Sequence, residues 1–374
     1  MNSNFKYYNP TIIYFGSDSL KHLEKELMQV GERILLVYGQ SAIKKIGLYD
    51  QIISILNKLN KKVFDDGGVM ANPTVERVDL GRSKVLDYQI DFILAIGGGS
   101  VIDYAKAVAA CTYADNWWQK YYVNMEKLSN RVINYGCLLT VSGTGSEMNS
   151  CSVITNTSQS LKIGRVFGDK LFPKFSIINP DWMKSVPDKL LFSGIYDSFT
   201  HLMEQYFSGQ EITTSDYMLE GLMRCIYENS LLLLADRHNS SALSNLVWAS
   251  TWALNTLFSR GRNGDWMLHM IGQAIGAVTD ATHGLTLSAI SVPYYREIKK
   301  MAPSKFERFG TEVFKNTDGL LCLEKWINQL GLVTKISDLG VKEADIDSIL
   351  KAVVILNSGY KKWNIEEIAT LLTV

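Results

Sequence analysis

Residues 91–99, DFILAIGGG, constrain this chain most: a continuous apolar run stops at three glycines, and SVIDYAK follows in helical pattern. A strand apolar at every position reads as buried on both faces, which is how strands of a helix-covered parallel sheet look. Neighbouring segments repeat the plan. RILLVYG (33–39) and KKVFDDG (61–67) are strand candidates, and GCLLTVSGTGSE (136–147) is again an apolar strand followed by small residues. Between them LYDQIISILNKL (48–59) and VERVDLGRSKVL (75–86) carry helical periodicity. Strand–helix alternation predicts an α/β domain with a parallel sheet.

The texture changes at SVPDKLL (185–191), where Ser185 and Asp188 have the spacing of a capping box with a proline in the first turn. Beyond it helical periodicity dominates. The expected division is an α/β nucleotide-binding domain over residues 1–186 and an all-helical domain over 187–374, two domains being reasonable for 374 residues. No Pro- or Gly-rich linker separates them, so a large shared interface is expected. With 38 basic and 38 acidic residues, the chain has neither the basic excess of a nucleic-acid binder nor a polybasic membrane anchor. Cys111, Cys137, Cys151, Cys225 and Cys322 are odd in number, widely spaced and form no CxxC, which predicts free thiols in a reducing compartment. The opening MNSNFKYYNP shows no signal pattern and no apolar run is long enough to span a bilayer, so the cytoplasm is the expected location.

Two glycine-rich turns and one set of acid and imidazole groups carry chemistry. GGGSVIDYAK (97–106) sits where a strand hands over to a helix, so its backbone can approach a phosphate while the first helical N–H groups face the anion. The same residues would also serve a plain tight turn. TVSGTGSE (140–147) is a second turn after a strand, and ligands of open α/β sheets bind at that edge. Neither has the GxGxxG spacing. In the helical half, Asp197 and His201 stand at i, i+4 and project from one helix face, within a polar stripe that continues to Glu204 and Ser208. The bland reading is a surface pair. His269 lies in an apolar helical run and His283 in the turn-like TDATHGL; on one straight helix they would be ~21 Å apart. A shared ion therefore requires a bend, and Gly276 with residues 279–284 offers one. One aspartate and three histidines suit Fe2+ or Zn2+ with room for a substrate oxygen. His22 and His238 match no motif and read as surface residues; Trp266, three residues before His269, is the tryptophan expected nearest the cleft.

Taken together these motifs resemble the iron-containing (group III) alcohol dehydrogenases, and within them the butanol dehydrogenase-like branch. The resemblance runs through NPTIIYFG, NPTVERV, GGGSVIDYAK, LLTVSGTGSEMN, PKFSIINPDW, the DxxxH of Asp197 and His201, GRNGDWMLHMIGQAIGAVTDATHG and GLVTKISDLGV, nearly the whole chain. It implies that Asp197, His201, His269 and His283 ligate the metal. It also implies that Gly97, Gly98, Gly99, Ser100 and Asp103 form the cofactor's phosphate turn and the helix behind it. Thr140, Ser142, Thr144 and Ser146 match the second nucleotide-contacting strand end. Lys162 matches a lysine reaching the cofactor side of the cleft, and Asn72 and Pro73 match a loop near the pyrophosphate. The implied activity is hydride transfer between NAD(P)H and a small alcohol or aldehyde held in a cleft between the halves, in a homodimer. One position departs: many relatives carry a second histidine where this chain has Gln273, and glutamine cannot exchange a proton. Gln273 is then a contact for substrate or water, and the proton is expected to pass through water or the cofactor ribose. After RILLVYG come Gly39, Gln40, Ser41 and then Lys44 and Lys45, with no acid where NAD-using relatives place an aspartate, so NADP(H) is expected over NAD(H). Two alternatives share the outline: a dehydroquinate synthase-like lyase, which would need a cleft rich in Lys and Arg, and a non-catalytic metal-binding derivative.

Overall fold

The computed structural model describes residues 4–372. Two compact units emerge: one is Tyr8–Gln159 with Ile163–Ser185, and the other holds residues 4–7, Ser160–Lys162 and the chain from Val186 onward.

The first unit is built on strands β1 (Ile12–Phe15), β2 (Arg33–Tyr38), β3 (Lys62–Asp66), β4 (Phe92–Gly97), β5 (Asn134–Leu139) and β8 (Phe175–Ile178), with β6 (Cys151–Asn156) and β7 (Leu161–Val166) as a separate ribbon. The six-stranded sheet runs β1-β8-β5-β4-β2-β3, and every pairing in it is parallel. Helices α1 (Leu23–Met28), α2 (Ala42–Lys45), α3 (Leu48–Lys58), α4 (Val75–Asp87) and α5 (Gly99–Cys111) connect the strands. Ile34, Leu36 and Tyr38 of β2 and Phe92, Leu94 and Ile96 of β4 share one face with Leu23, Leu27, Ile52 and Leu56 of the covering helices. The alternate residues Leu35, Val37, Ile93 and Ala95 are equally sealed, which is why these strands read as unbroken apolar runs. Burying each of the leucine, isoleucine, valine and phenylalanine side chains contributes about 1.5–3 kcal/mol.

Register brings the sequence-predicted turns together at the C-terminal edge of the sheet. Tyr38 pairs with Ile96 and Gly97 with Leu139, so Gly39, Gly97 and Thr140 lie at the same edge. The Thr140 amide donates to the Gly97 carbonyl at 3.0 Å, and the Gly68 amide to the Gly39 carbonyl at 2.8 Å.

The second unit is helical: α6 (Asp188–Tyr206), α7 (Thr213–Ala235), α8 (Ser240–Ala253), α9 (Met267–Thr279), α10 (His283–Met301), α11 (Pro303–Phe309), α12 (Gly319–Gln329), α13 (Ile346–Ala352) and α14 (Ile365–Leu371). Helix α6 is buried from Ile195 to Tyr206 and packs against α7, α8 and α10. The predicted capping box at its start does not form: Pro187 is the N-cap, no side chain caps the helix, and the Ser185 hydroxyl bonds back to the Trp182 carbonyl within a short 3-10 turn. The bend required between His269 and His283 is present. Asp280 adopts φ 55, in the left-handed region, ending α9, and α10 begins at His283.

Candidate metal centre and nucleotide turns

Helices α6, α9 and α10 meet around one buried point. Asp197 Oδ1 stands 3.6 Å from His201 Nε2, 3.5 Å from His269 Nε2 and 3.7 Å from His283 Nε2. The polar stripe on α6 is therefore interior, Asp197 being 3% and His201 4% exposed. Asp197, His269 and His283 offer donor atoms all within 4.8 Å of one another; His201 approaches the aspartate but lies outside that tight triad. Asp197 Oδ1 and His269 Nε2 are buried with no hydrogen-bond partner. An orphaned carboxylate oxygen in a dry interior is costly unless a cation completes it. A tetrahedral ion with bonds of about 2.0–2.2 Å has donor–donor edges of roughly 3.3–3.6 Å, so these separations fit a divalent ion of the zinc and ferrous type. Burial depresses His201 to about 4 and pushes His283 well below its ordinary value, in the second case helped by the Lys162 ammonium, so both imidazoles present neutral nitrogen.

Glu204 was passed over in the sequence as part of a polar stripe, and its place is now clear. It is 0% exposed, one turn beyond His201 on α6. Its carboxylate meets His269 twice, accepting from the backbone amide at 3.3 Å and from Nδ1 of the ring. The ring of Trp266 stands 5.6 Å from His269 and 6.3 Å from His201. Gln273 lies one turn beyond His269 on α9 and is 8% exposed. Lys162 belongs to this unit, and a Cβ on Gly276 would lie 3.4 Å from its Nζ, which puts the lysine beside α9 and His283.

In the α/β unit the three glycines of the first turn have packing reasons of their own. A Cβ on Gly98 would come within 2.9 Å of Val141 Cβ, and one on Gly99 within 2.4 Å of Thr144 Oγ1, so the two turns interlock. Gly98 is the N-cap of α5 without a side-chain cap, leaving first-turn amides as donors to an anion. Thr140 and Ser142 are buried at this edge, and Ser142 Oγ has no hydrogen-bond partner. Ser100 opens α5 half-buried. Asp103 and Ser146 face each other instead: Ser146 Oγ donates to Asp103 Oδ1 at 2.6 Å, and Asp103 Oδ2 accepts from the Val153 amide at 3.0 Å. Lys106, which sequence reading left unassigned, is fully buried and donates to Ser146 Oγ, Asn149 Oδ1 and the Cys151 carbonyl at 2.7, 2.9 and 2.8 Å. Its spacing of i+3 from Asp103 was the available signal. Asn72 takes φ 53 and precedes Pro73, whose carbonyl accepts from Thr155 N. Gln40 and Ser41 are exposed, with Gln40 Nε2 2.8 Å from Met70 Sδ, and Lys44 lies over the rings of Tyr38 and Tyr49 at 5.2 and 4.7 Å.

A family model described as iron-containing alcohol dehydrogenase matches residues 10–180, and one for the C-terminal part of the Fe-containing alcohol dehydrogenase family matches 192–374. Probable NADH-dependent butanol dehydrogenase 1 of Bacillus subtilis is 36% identical, covering 99% of this chain and 98% of that protein. NADPH-dependent aldehyde reductase YqhD of Escherichia coli is 28% identical over 93% of this chain and 92% of its own. The crystal structure of NADH-dependent butanol dehydrogenase A from Thermotoga maritima superposes with a TM-score of 0.93 at 29% identity, covering 99% of this chain and 98% of that one. The chain belongs to the iron-containing alcohol dehydrogenase family and is butanol dehydrogenase-like within it. Membership favours the oxidoreductase reading over the lyase-like and non-catalytic alternatives. Among the described residues no helix is long and apolar enough to cross a membrane.

Proposed function

We propose that this chain is a metal-dependent, NAD(P)H-linked alcohol dehydrogenase or aldehyde reductase for a small alcohol or aldehyde. The observation that carries the reading is Asp197 Oδ1, buried and without a hydrogen-bond partner, with three imidazole nitrogens at 3.5–3.7 Å. In this reading residues 187–374 hold Fe2+ or Zn2+ through Asp197, His201, His269 and His283, and residues 1–186 hold the dinucleotide. Held there, such an ion would supply Lewis acidity toward a substrate oxygen, and a bound nicotinamide would supply the hydride chemistry. The chain's own part is positional. Gly97–Ser100 amides and Ser142 receive the pyrophosphate, with Thr140 and Thr144 at the adjoining strand end and Asn72 on the neighbouring loop. Gln273 donates a hydrogen bond to substrate or water and moves no proton. Lys162 places a cation beside His283 that disfavours its protonation, keeping a lone pair available. A cytoplasmic homodimer completes the reading; the five cysteines are unpaired, as a reducing compartment would leave them.

Two measurements test it. Metal-loaded protein is given a panel of short aldehydes with NADPH or NADH, and consumption of the reduced cofactor is followed. His269→Ala should abolish turnover and strongly reduce bound metal; full metal occupancy in that variant by elemental analysis overturns the ligand assignment. Sedimentation of the purified protein checks the dimer.

A further inference from the structure

We propose that Glu204 is a positioning residue for the metal centre: its carboxylate fixes the tautomer and aim of His269, so that Nε2 rather than Nδ1 is presented to the ion. The inference rests on the metal-site reading above and adds a residue to it.

The geometry is a double hold on one residue. His269 is the third residue of α9, and its backbone N–H is among the first-turn amides that find no acceptor within a helix. Glu204 Oε1 accepts that N–H at 3.3 Å from a different helix, while Oε2 accepts from ring Nδ1. The carbonyl of Glu204 also accepts from the Asp265 amide at 2.8 Å, so one residue of α6 anchors the incoming chain both four residues before the ligand and at the ligand. With backbone and Nδ1 both fixed, the ring has one remaining nitrogen, Nε2. That atom lies 3.5 Å from Asp197 Oδ1 and has no hydrogen-bond partner. A carboxylate on the outer nitrogen of a metal-bound imidazole selects the tautomer and raises its basicity.

Charge supports the same role. Glu204 is wholly buried, and no lysine or arginine is paired with its carboxylate among the described ion pairs; His269 is its partner. A divalent ion balances the two carboxylates of Asp197 and Glu204, which a low-dielectric interior tolerates better than either charge left uncompensated. Helix α9 adds the positive end of its dipole to the carboxylate.

The substitution that discriminates is Glu204→Gln. Glutamine keeps the shape but has one acceptor oxygen and an NH2 group. Facing two donors, it leaves one unpaired or turns its NH2 toward Nδ1, which then must accept, moving the ring proton to Nε2, where it occupies the metal-facing lone pair. Zn2+ is titrated into metal-free protein against a chromophoric chelator. Wild type should bind, and Glu204→Gln should bind about 10–100-fold more weakly while its metal-free form still unfolds in one cooperative urea transition. Affinity within threefold of wild type overturns the proposal. Absence of Zn2+ binding by wild type, or wild-type binding by His269→Ala, overturns the metal reading instead. Should Glu204→Gln not fold, 15N spectra of histidine in zinc-loaded wild type decide: a proton on Nδ1 of His269 with Nε2 shifted by the ion supports the role, and an unprotonated or metal-bound Nδ1 refutes it.

Discussion

Asp265 is fully buried, and burial first, the nearby Glu204 charge second, raise its carboxyl to about 8. The Tyr294 hydroxyl, 2.6 Å from Oδ2, pulls the other way without compensating. In the unfolded chain the same group titrates near 3.9. Between roughly pH 4 and 8 the folded protein therefore holds a proton the unfolded chain has released, and stability from this group is complete below the lower value and lost as pH rises through the upper one. Asn mimics the protonated carboxyl. Urea midpoints of Asp265→Asn relative to wild type should move in the variant's favour steadily from pH 5 to pH 8.5; a difference that does not change with pH rules the account out. Gln273 makes the opposite kind of prediction. An amide has no useful pKa, so Gln273→Ala should change KM or kcat modestly and leave the shape of kcat against pH as it was; a lost or new ionisation would show that it governs a titrating group. Asp197 and His201 could be paired in the sequence because i, i+4 spacing marks one helix face, and their grouping with His269 and His283 as proposed ligands came from the family resemblance. Glu204 was not legible in this way, because its work depends on where α9 starts in space. An i+3 acid after a ligand histidine looks the same on a solvated face.

At the scale of elements, α5 and the loop after β5 behave as one piece. The Gly99 contact with Thr144 and the three bonds of Lys106 to Ser146, Asn149 and Cys151 join the helix behind the first glycine turn to the second turn. A Cβ at position 99 meets Thr144 at its Oγ1, Cγ2 and Cβ, so the loop must shift rather than a flexible tip. Gly99→Ala should raise the dissociation constant for the dinucleotide at least tenfold by fluorescence titration while zinc binding stays at the wild-type value; unchanged cofactor affinity would separate this turn from the phosphate site. Lys106→Met removes the three hydrogen bonds that tie α5 to Ser146, Asn149 and Cys151 and should cost about 1–3 kcal/mol of folding stability, read as a lower urea midpoint. Strands β2, β4 and β5 were legible because burial on both faces writes itself as an apolar run. The four-residue strands β1 and β8 are too short for a period to show, and residues 151–166 pair as a ribbon outside the main sheet, so no alternation with helices announces them. The Ser185–Asp188 spacing misled because a capping box needs the serine at the N-cap, and Pro187, with φ already helical and no N–H to satisfy, occupies that place.

At the scale of the whole molecule the open choice is which dinucleotide the α/β half selects, and the relatives split between NADH and NADPH. In the proposed reading the selecting position follows β2. NAD-specific nucleotide folds place an acid there that bonds the adenosine 2′-hydroxyl and repels a 2′-phosphate. Here the chain continues Gly39, Gln40, Ser41, Ala42, Ile43, Lys44, Lys45, with Ser41 exposed at the start of α2 and its side chain capping nothing. The acids nearby are already engaged: Asp65 accepts from the hydroxyls of Tyr38 and Tyr49 at 2.8 and 3.1 Å, and Asp66 binds Arg77 and Lys84 at 2.7 and 2.8 Å. Lys44 stacks over Tyr38 and Tyr49 while retaining its charge, and Lys45 is exposed. Room, a hydroxyl and positive charge without a competing carboxylate favour a 2′-phosphate, so kcat/KM should be higher with NADPH than with NADH. Ser41→Asp should reverse the order by repulsion between like charges, through loss with NADPH more than gain with NADH. The two constants measured for wild type and variant decide it: equal or NADH-favouring values in wild type refute the reading, and a preference indifferent to the introduced aspartate would place the 2′-position elsewhere on the sheet edge.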